Sequence, residues 1–224
     1  MPTWNELFLD QANIDEAPGA EIYRFVVLLE KLFSERPLRL WDLCCGAGRH
    51  TVLMTSMGHK VYASDNAPNA IDLTRKWLAK LHLWTEVELA DMIDCPWQDI
   101  SFHGVVSWNA IHHNTLDNIQ KAIDTVYRQL IPGGLFVASI MSTKADGYGK
   151  GRQVEAQTFV EDDGFEARVP HHYFDETSLR ALLAKWELLS LAEQVVTYVE
   201  QGENFLEYNP FGYTKWLVLA RKRT

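Results

Sequence analysis

The 224 residues are 47% hydrophobic and 23% charged, which suits one globular domain over 1–224 with a full apolar core. A net charge of −9 argues against a nucleic-acid partner, whose grip needs clustered cations; the terminal Arg221-Lys222-Arg223 is too short for that. Apolar runs such as Leu135 to Met141 fall far short of a membrane span, the first residues lack a leader pattern, and Cys44, Cys45 and Cys95 read as reduced thiols, so a cytoplasmic protein is expected.

In chain order, Ile22, Phe25, Val26, Leu29 and Leu32 predict an amphipathic helix within an N-terminal helical cap, 1–37. Leu38 to Leu43 is a first strand, followed by a glycine turn and a helix that stops at Gly58. A second strand covers Val61 to Ser64. Pro68 opens a helix at a favoured position, with Ile71, Trp77, Leu78 and Leu81 on one face. Val87 to Ala90 and Val105 to Trp108 read as the third and fourth strands. Ile119, Ile123, Val126 and Leu130 mark a helix stopped by Pro132-Gly133-Gly134, and Leu135 to Met141 is a fifth strand.

Residues 142–174 interrupt this rhythm and read as a substrate-side loop insertion. Asp175 then caps a helix bearing Leu179, Leu182, Leu183 and Trp186. Strands at about Leu188 to Val196 and Lys215 to Ala220 close the chain. The alternation predicts an α/β fold: a doubly wound, seven-stranded, mostly parallel sheet with helices on both faces. Ligands of such sheets lie beyond the carboxyl ends of the strands, near the switch in strand order.

The turn Asp42-Leu43-Cys44-Cys45-Gly46-Ala47-Gly48-Arg49-His50-Thr51 joins a strand to a helix N-terminus. A dinucleotide site would want glycine where Thr51 stands. The stretch instead resembles the D-x-G-x-G-x-G pattern of class I S-adenosylmethionine-dependent methyltransferases, with Cys44 replacing the first glycine. Asp65, Ala90-Asp91-Met92, the segment Phe102 to His113 and Leu130-Ile131-Pro132-Gly133-Gly134 follow in the family's order. The segment around Tyr148 and Pro170-His171-His172-Tyr173-Phe174 resembles small-molecule methyltransferases of the tellurite-resistance and quinone-methylase kind.

The resemblance implies a Rossmann-like methyltransferase fold, S-adenosyl-L-methionine as cofactor and a small-molecule acceptor. It assigns the cofactor to Asp42, Cys44, Gly46, Gly48, Asp65, Asn66, Asp91, Met92 and Asn109, with Asp65 on the ribose and Asp91 toward the adenine. In-line displacement at a sulfonium methyl needs chiefly alignment and exclusion of water. A base is required only if the acceptor must lose a proton, and imidazole suits that role. His113 and His172 are the candidate catalytic residues; His112, Tyr148, His171 and Tyr173 are the candidate acceptor contacts. No ligand spacing supports a metal site, and no membrane partner is expected.

The competing readings are a nucleic-acid or protein methyltransferase and a non-catalytic cofactor-binding module. Against the first, Asn109-Ala110-Ile111-His112 lacks the Asn/Asp-Pro-Pro-aromatic element that would hold a flipped base.

Overall fold

The computed structural model describes residues 4–8, 17–163, 166–201 and 208–224; parts of the 1–37 and 142–174 readings therefore lie outside the described residues. A short helix, α1 (Trp4–Leu7), and a longer one, α2 (Ala20–Leu32), precede β1 (Arg39–Leu43), α3 (Arg49–Ser56), β2 (Lys60–Asp65), α4 (Pro68–Lys80) and β3 (Glu86–Leu89). There follow β4 (Phe102–Ser107), α5 (Leu116–Gln129), β5 (Leu130–Met141), β6 (Arg152–Glu155), β7 (Thr158–Val160), β8 (Pro170–His172), α6 (Glu176–Leu182), β9 (Glu187–Gln201) and β10 (Tyr208–Arg221).

Seven strands form the main sheet in the order β3-β2-β1-β4-β5-β10-β9. The first five are mutually parallel, while β10 runs antiparallel to both β5 and β9. Strand order reverses between β1 and β4, so the carboxyl ends of these two strands frame the crevice expected of a doubly wound sheet.

Alternation along the strands builds a core on each face. Trp41, Val105 and Phe136 point to one face, where they meet Ile119, Ile123 and Val126 of α5 together with Leu179 and Leu182 of α6. Leu40, Val106 and Val137 point to the other, against Ile22, Phe25, Val26 and Leu29 of α2. Helix α2 thus covers the sheet face with the stripe read from the sequence, although Leu32 remains exposed. Leu81 is likewise exposed, one residue beyond α4.

Two expectations are corrected. Residues 142–174 are more than a loop: β6, β7 and β8 pair antiparallel as a separate three-stranded sheet. Glu155 at the end of β6 accepts a hydrogen bond from the Leu116 N–H at 2.6 Å, so this sheet closes the open N-terminus of α5. Leu130 leaves the preceding helix and starts β5; the register then jumps from Phe102↔Leu130 to Gly104↔Leu135, with Pro132-Gly133-Gly134 accommodated in the irregularity.

Asp175 behaves as read. Its side chain accepts from Ser178 N, and Ser178 returns a bond to the cap backbone, giving α6 a complete capping box.

Candidate active site

The chain reverses between β1 and α3 through left-handed residues: Cys44 at φ 59°, Gly46 at 55° and Gly48 at 91°. Cys44 stands where the family pattern has glycine and adopts the conformation glycine would favour. Gly48 has a second constraint, because an added Cβ would lie 2.7 Å from Thr74 Oγ1. At Gly46 an added Cβ would come within 3.2 Å of the Phe8 ring, which brings the N-terminal segment against the turn. Thr74 Oγ1 donates to Gly46 O at 2.8 Å, tying the turn to α4.

Two buried carboxylates brace this turn from below. Asp42 accepts the Thr51 hydroxyl at 2.6 Å, and burial pushes its pKa up to about 7, with the Thr51 bonds opposing. Thr51, the residue that spoils a dinucleotide fingerprint, is therefore the partner that holds Asp42. Asp65, at the end of β2, accepts Gly46 N at 2.9 Å with one oxygen and Ala67 N at 2.9 Å with the other. Burial raises its pKa also. It ties the entry to α4 at Ala67 to the glycine turn at Gly46.

Asn66 beside it is exposed. Asp91 lies exposed beyond β3 and accepts Ile93 N at 3.1 Å, whereas Met92 turns into the apolar core. These positions line up along the carboxyl ends of β1, β2 and β3, in the order the pattern requires.

Across the switch point, Asn109 follows β4 with φ 52°. Its backbone N–H donates to Ser139 Oγ at 2.7 Å, Ser139 returns a bond to Asn109 Oδ1 at 2.6 Å, and Asn109 Nδ2 reaches Tyr213 Oη at 3.1 Å. Asn109 lines a crevice of about 620 Å³ with Gly19, Arg49, Trp108, Tyr213 and Lys215. Lys215 Nζ lies 3.3 Å from Asn109 Oδ1, 3.4 Å from Tyr213 Oη and 4.6 Å from the centre of the Trp108 ring. Burial lowers the Lys215 pKa to about 8, with Arg49 adding and Glu21 opposing.

Sequence reading missed Arg49, Trp108, Tyr213 and Lys215 as pocket residues. A lysine inside the apolar strand Trp216-Leu217-Val218 was the available signal: Lys215 pairs with Met141, the last residue of β5, at the mouth of the crevice.

The four histidines do not line this crevice, and neither do Tyr148 and Tyr173. His112 and His113 sit with ring centres 4.1 Å apart, and His113 lies 4.7 Å from His171. Burial holds His112 and His113 well below the usual imidazole range. His172 is buried, and burial lowers its pKa too.

The His172 tautomer follows from its partners. The Thr158 hydroxyl donates to Glu155 at 2.8 Å, so His172 Nδ1 must be the donor in its 2.6 Å bond to Thr158 Oγ1. Nε2 is left unprotonated and buried with no partner. Tyr148 and Tyr173 pack edge to face with Phe159 as the apolar face of the small sheet. These two side chains face one another and Phe159 rather than the crevice beside Asn109.

A doubly wound sheet with a glycine turn after β1, a carboxylate closing β2 and an antiparallel β10 between β5 and β9 has the architecture of Rossmann-like methyltransferases. Residues 41–134 match the family described as a methyltransferase domain. An uncharacterized methyltransferase of Synechocystis sp. is 31% identical over 109 residues, 48% of this chain and 49% of that one. This chain spans about half the length of the curated relatives it matches.

Among solved structures, TehB from Haemophilus influenzae superposes with a TM-score of 0.68 at 19% identity, covering 99% of this chain and 68% of that one. The Burkholderia thailandensis 1,6-didemethyltoxoflavin-N1-methyltransferase, solved with 1,6-didemethyltoxoflavin and S-adenosylhomocysteine bound, gives 0.61 at 20% identity, over 92% of this chain and 79% of that one. Residues 41–134 are thus similar to a methyltransferase domain, and the solved structures share the fold. Among the described residues, no helix is long and apolar enough to cross a membrane.

Proposed function

We propose that the domain transfers the methyl group of S-adenosylmethionine to a small-molecule acceptor held in the crevice between Trp108, Asn109, Tyr213 and Lys215. The turn suits the cofactor: its left-handed backbone at Cys44, Gly46 and Gly48 leads into the N-terminus of α3, and only Cys44 among the three adds a side chain, a small one. Asp65 is held by two backbone N–H groups and is the acceptor for the ribose hydroxyls. Asp91, Met92 and Asn66 border the adenine side, while Asp42 keeps the turn in shape. When bound, the cofactor supplies an electrophilic methyl on a positively charged sulfur.

The observation that carries this reading is the crevice itself. Its volume of about 620 Å³ suits a small organic molecule, and Trp108 and Tyr213 offer flat apolar walls. Lys215, with its pKa near 8, is poised either to take a proton from a hydroxyl or amine or to neutralise an anionic oxygen. This role replaces the histidines as candidate base. The Burkholderia enzyme, of the same fold, is a small-molecule methyltransferase by name, which supports the acceptor class.

The test is S-adenosylhomocysteine release from the purified chain with pooled small acceptors, followed by pH profiles on the acceptor found. The wild-type rate should rise with pH through about 8. Lys215→Met should lose that limb together with roughly 10²–10⁴-fold in kcat. Lys215→Arg should restore acceptor binding without the limb. An unchanged profile in Lys215→Met would refute the assignment of Lys215, and absence of S-adenosylhomocysteine binding would refute the activity.

A further inference from the structure

Away from the crevice, three ligand-bearing side chains converge from two segments distant in sequence. His113 comes from the loop after β4, Glu166 from the turn after β7, and His171 from β8. Their ligating atoms all lie within 4.8 Å of one another. Glu166 divides its two oxygens between the imidazoles: Oε2 is 2.7 Å from His171 Nε2, and Oε1 is 3.6 Å from His113 Nε2.

The second nitrogen of His171 shows what the first is prepared for. Nδ1 lies 3.0 Å from the Val169 carbonyl oxygen, which can only accept, so Nδ1 carries a proton and donates it. A backbone carbonyl on the far ring nitrogen is the usual outer support of a metal-binding histidine, since it aims the other lone pair at the ion. Nε2 faces the Glu166 carboxylate at 2.7 Å, a position that either a shared proton or a metal ion can occupy. His113 is held against His112 and His171 by ring packing. The bond from His172 N to His112 O, 2.9 Å, pins the two segments together.

We propose that His113, Glu166 and His171 bind one divalent transition-metal ion of the zinc type. Two imidazoles and one carboxylate suit zinc, cobalt or ferrous iron; magnesium and calcium prefer sets built from oxygen. Tetrahedral ligands about 2.1 Å from a central ion stand about 3.4 Å apart, so the 2.7 Å pair would open and the widest pair would close by up to about 1.4 Å around the ion. The imidazoles are nearly closed to solvent while the Glu166 side chain is about one-third exposed, at 32%, which leaves a side for a water or a fourth ligand. The ion would fasten the turn before β8 to the loop after β4, the loop that also carries Asn109 of the crevice.

The test uses the full chain stripped by a chelator and titrated with Zn²⁺ by calorimetry and with Co²⁺ by visible absorption. One ion per chain should bind, with a ligand-field band on cobalt. Glu166→Gln and His171→Ala should each weaken binding by at least about tenfold. Zinc should also slow hydrogen exchange of the described residues 166–172. If the unaltered chain shows no saturable binding of one ion, or if binding is undiminished in both variants, the site does not exist. Neither outcome bears on S-adenosylhomocysteine binding, which is measured separately at the glycine turn.

Discussion

Replacing Asp42 with Asn tests how the glycine turn is held. Burial carries this carboxyl from 3.8 to about 7, so the folded protein binds its proton more tightly than the unfolded chain does. Below about pH 4 both states are protonated and the stabilising contribution is fully present. As pH rises the unfolded chain ionises first, and stability is lost progressively until the folded group ionises near 7. At about 1.4 kcal/mol per pH unit, the shift from 3.8 to about 7 corresponds to a loss of about 4 kcal/mol, complete above pH 7. Asn has the same shape, can still accept the Thr51 hydroxyl through its oxygen, and does not ionise. Asp42→Asn should therefore match the wild type near pH 4 and exceed it at pH 8, by roughly 8–16 °C in Tm for a chain of this size. The assay is thermal or urea unfolding of both proteins without cofactor from pH 4 to 8. Subtracting the two curves removes the common titrations of His112, His113 and Asp65. A difference independent of pH, or a variant less stable than the wild type at pH 8, would refute the buried-acid account.

The remaining expectations concern the turn and the ribose position. Asp65→Ala should weaken S-adenosylhomocysteine binding by calorimetry by about 2–3 kcal/mol, through loss of charge-assisted bonds; normal affinity would leave Asp65 as a brace of the turn alone. NAD and NADP should give no binding heat, and tight NAD binding would contradict the reading of Thr51. Gly48→Ala should lower stability by about 2–4 kcal/mol in urea unfolding, since it adds a contact 2.7 Å from Thr74 Oγ1 at φ 91°; a neutral change would mean the turn can relax.

Much of the parallel half was legible because its physics is local. Strands β1, β2 and β4 are buried on nearly every residue, so each carries a short apolar core that stands out between turn residues. The glycine turn, Asp65 and the Asp175 cap follow from backbone demands that single residues reveal. By contrast, the strands of the small sheet have only three or four residues, too few for a period to register. The exposed β6 even reads Arg152-Gln153-Val154-Glu155, a pattern that passes for polar loop. The histidines were noticed as adjacent pairs, yet Glu166 was missed, because a ligand set assembled across separate loops leaves no spacing in the sequence. Lys215 was hidden for a related reason: its meaning comes from where β10 inserts.

Under the proposed function, that insertion shapes the acceptor side of the crevice. Strands β1, β2 and β4 deliver only their carboxyl ends to the switch point, and those ends carry Cys44, Asp65 and Trp108, residues placed for the cofactor turn and its border. Because β10 is antiparallel to β5, its earlier half meets the carboxyl end of β5, and Tyr213 and Lys215 arrive from the opposite direction. A lysine there sits over Trp108 with its ammonium against Asn109 and Tyr213, in surroundings dry enough to lower its pKa yet open to the crevice. The histidines lie one loop further on, tied to Glu155, Thr158 and Glu166 of the inserted segment. Proton handling and loop fastening are thereby assigned to different side chains. A change at Lys215 should alter the pH profile and spare metal binding, and a change at His171 should do the reverse.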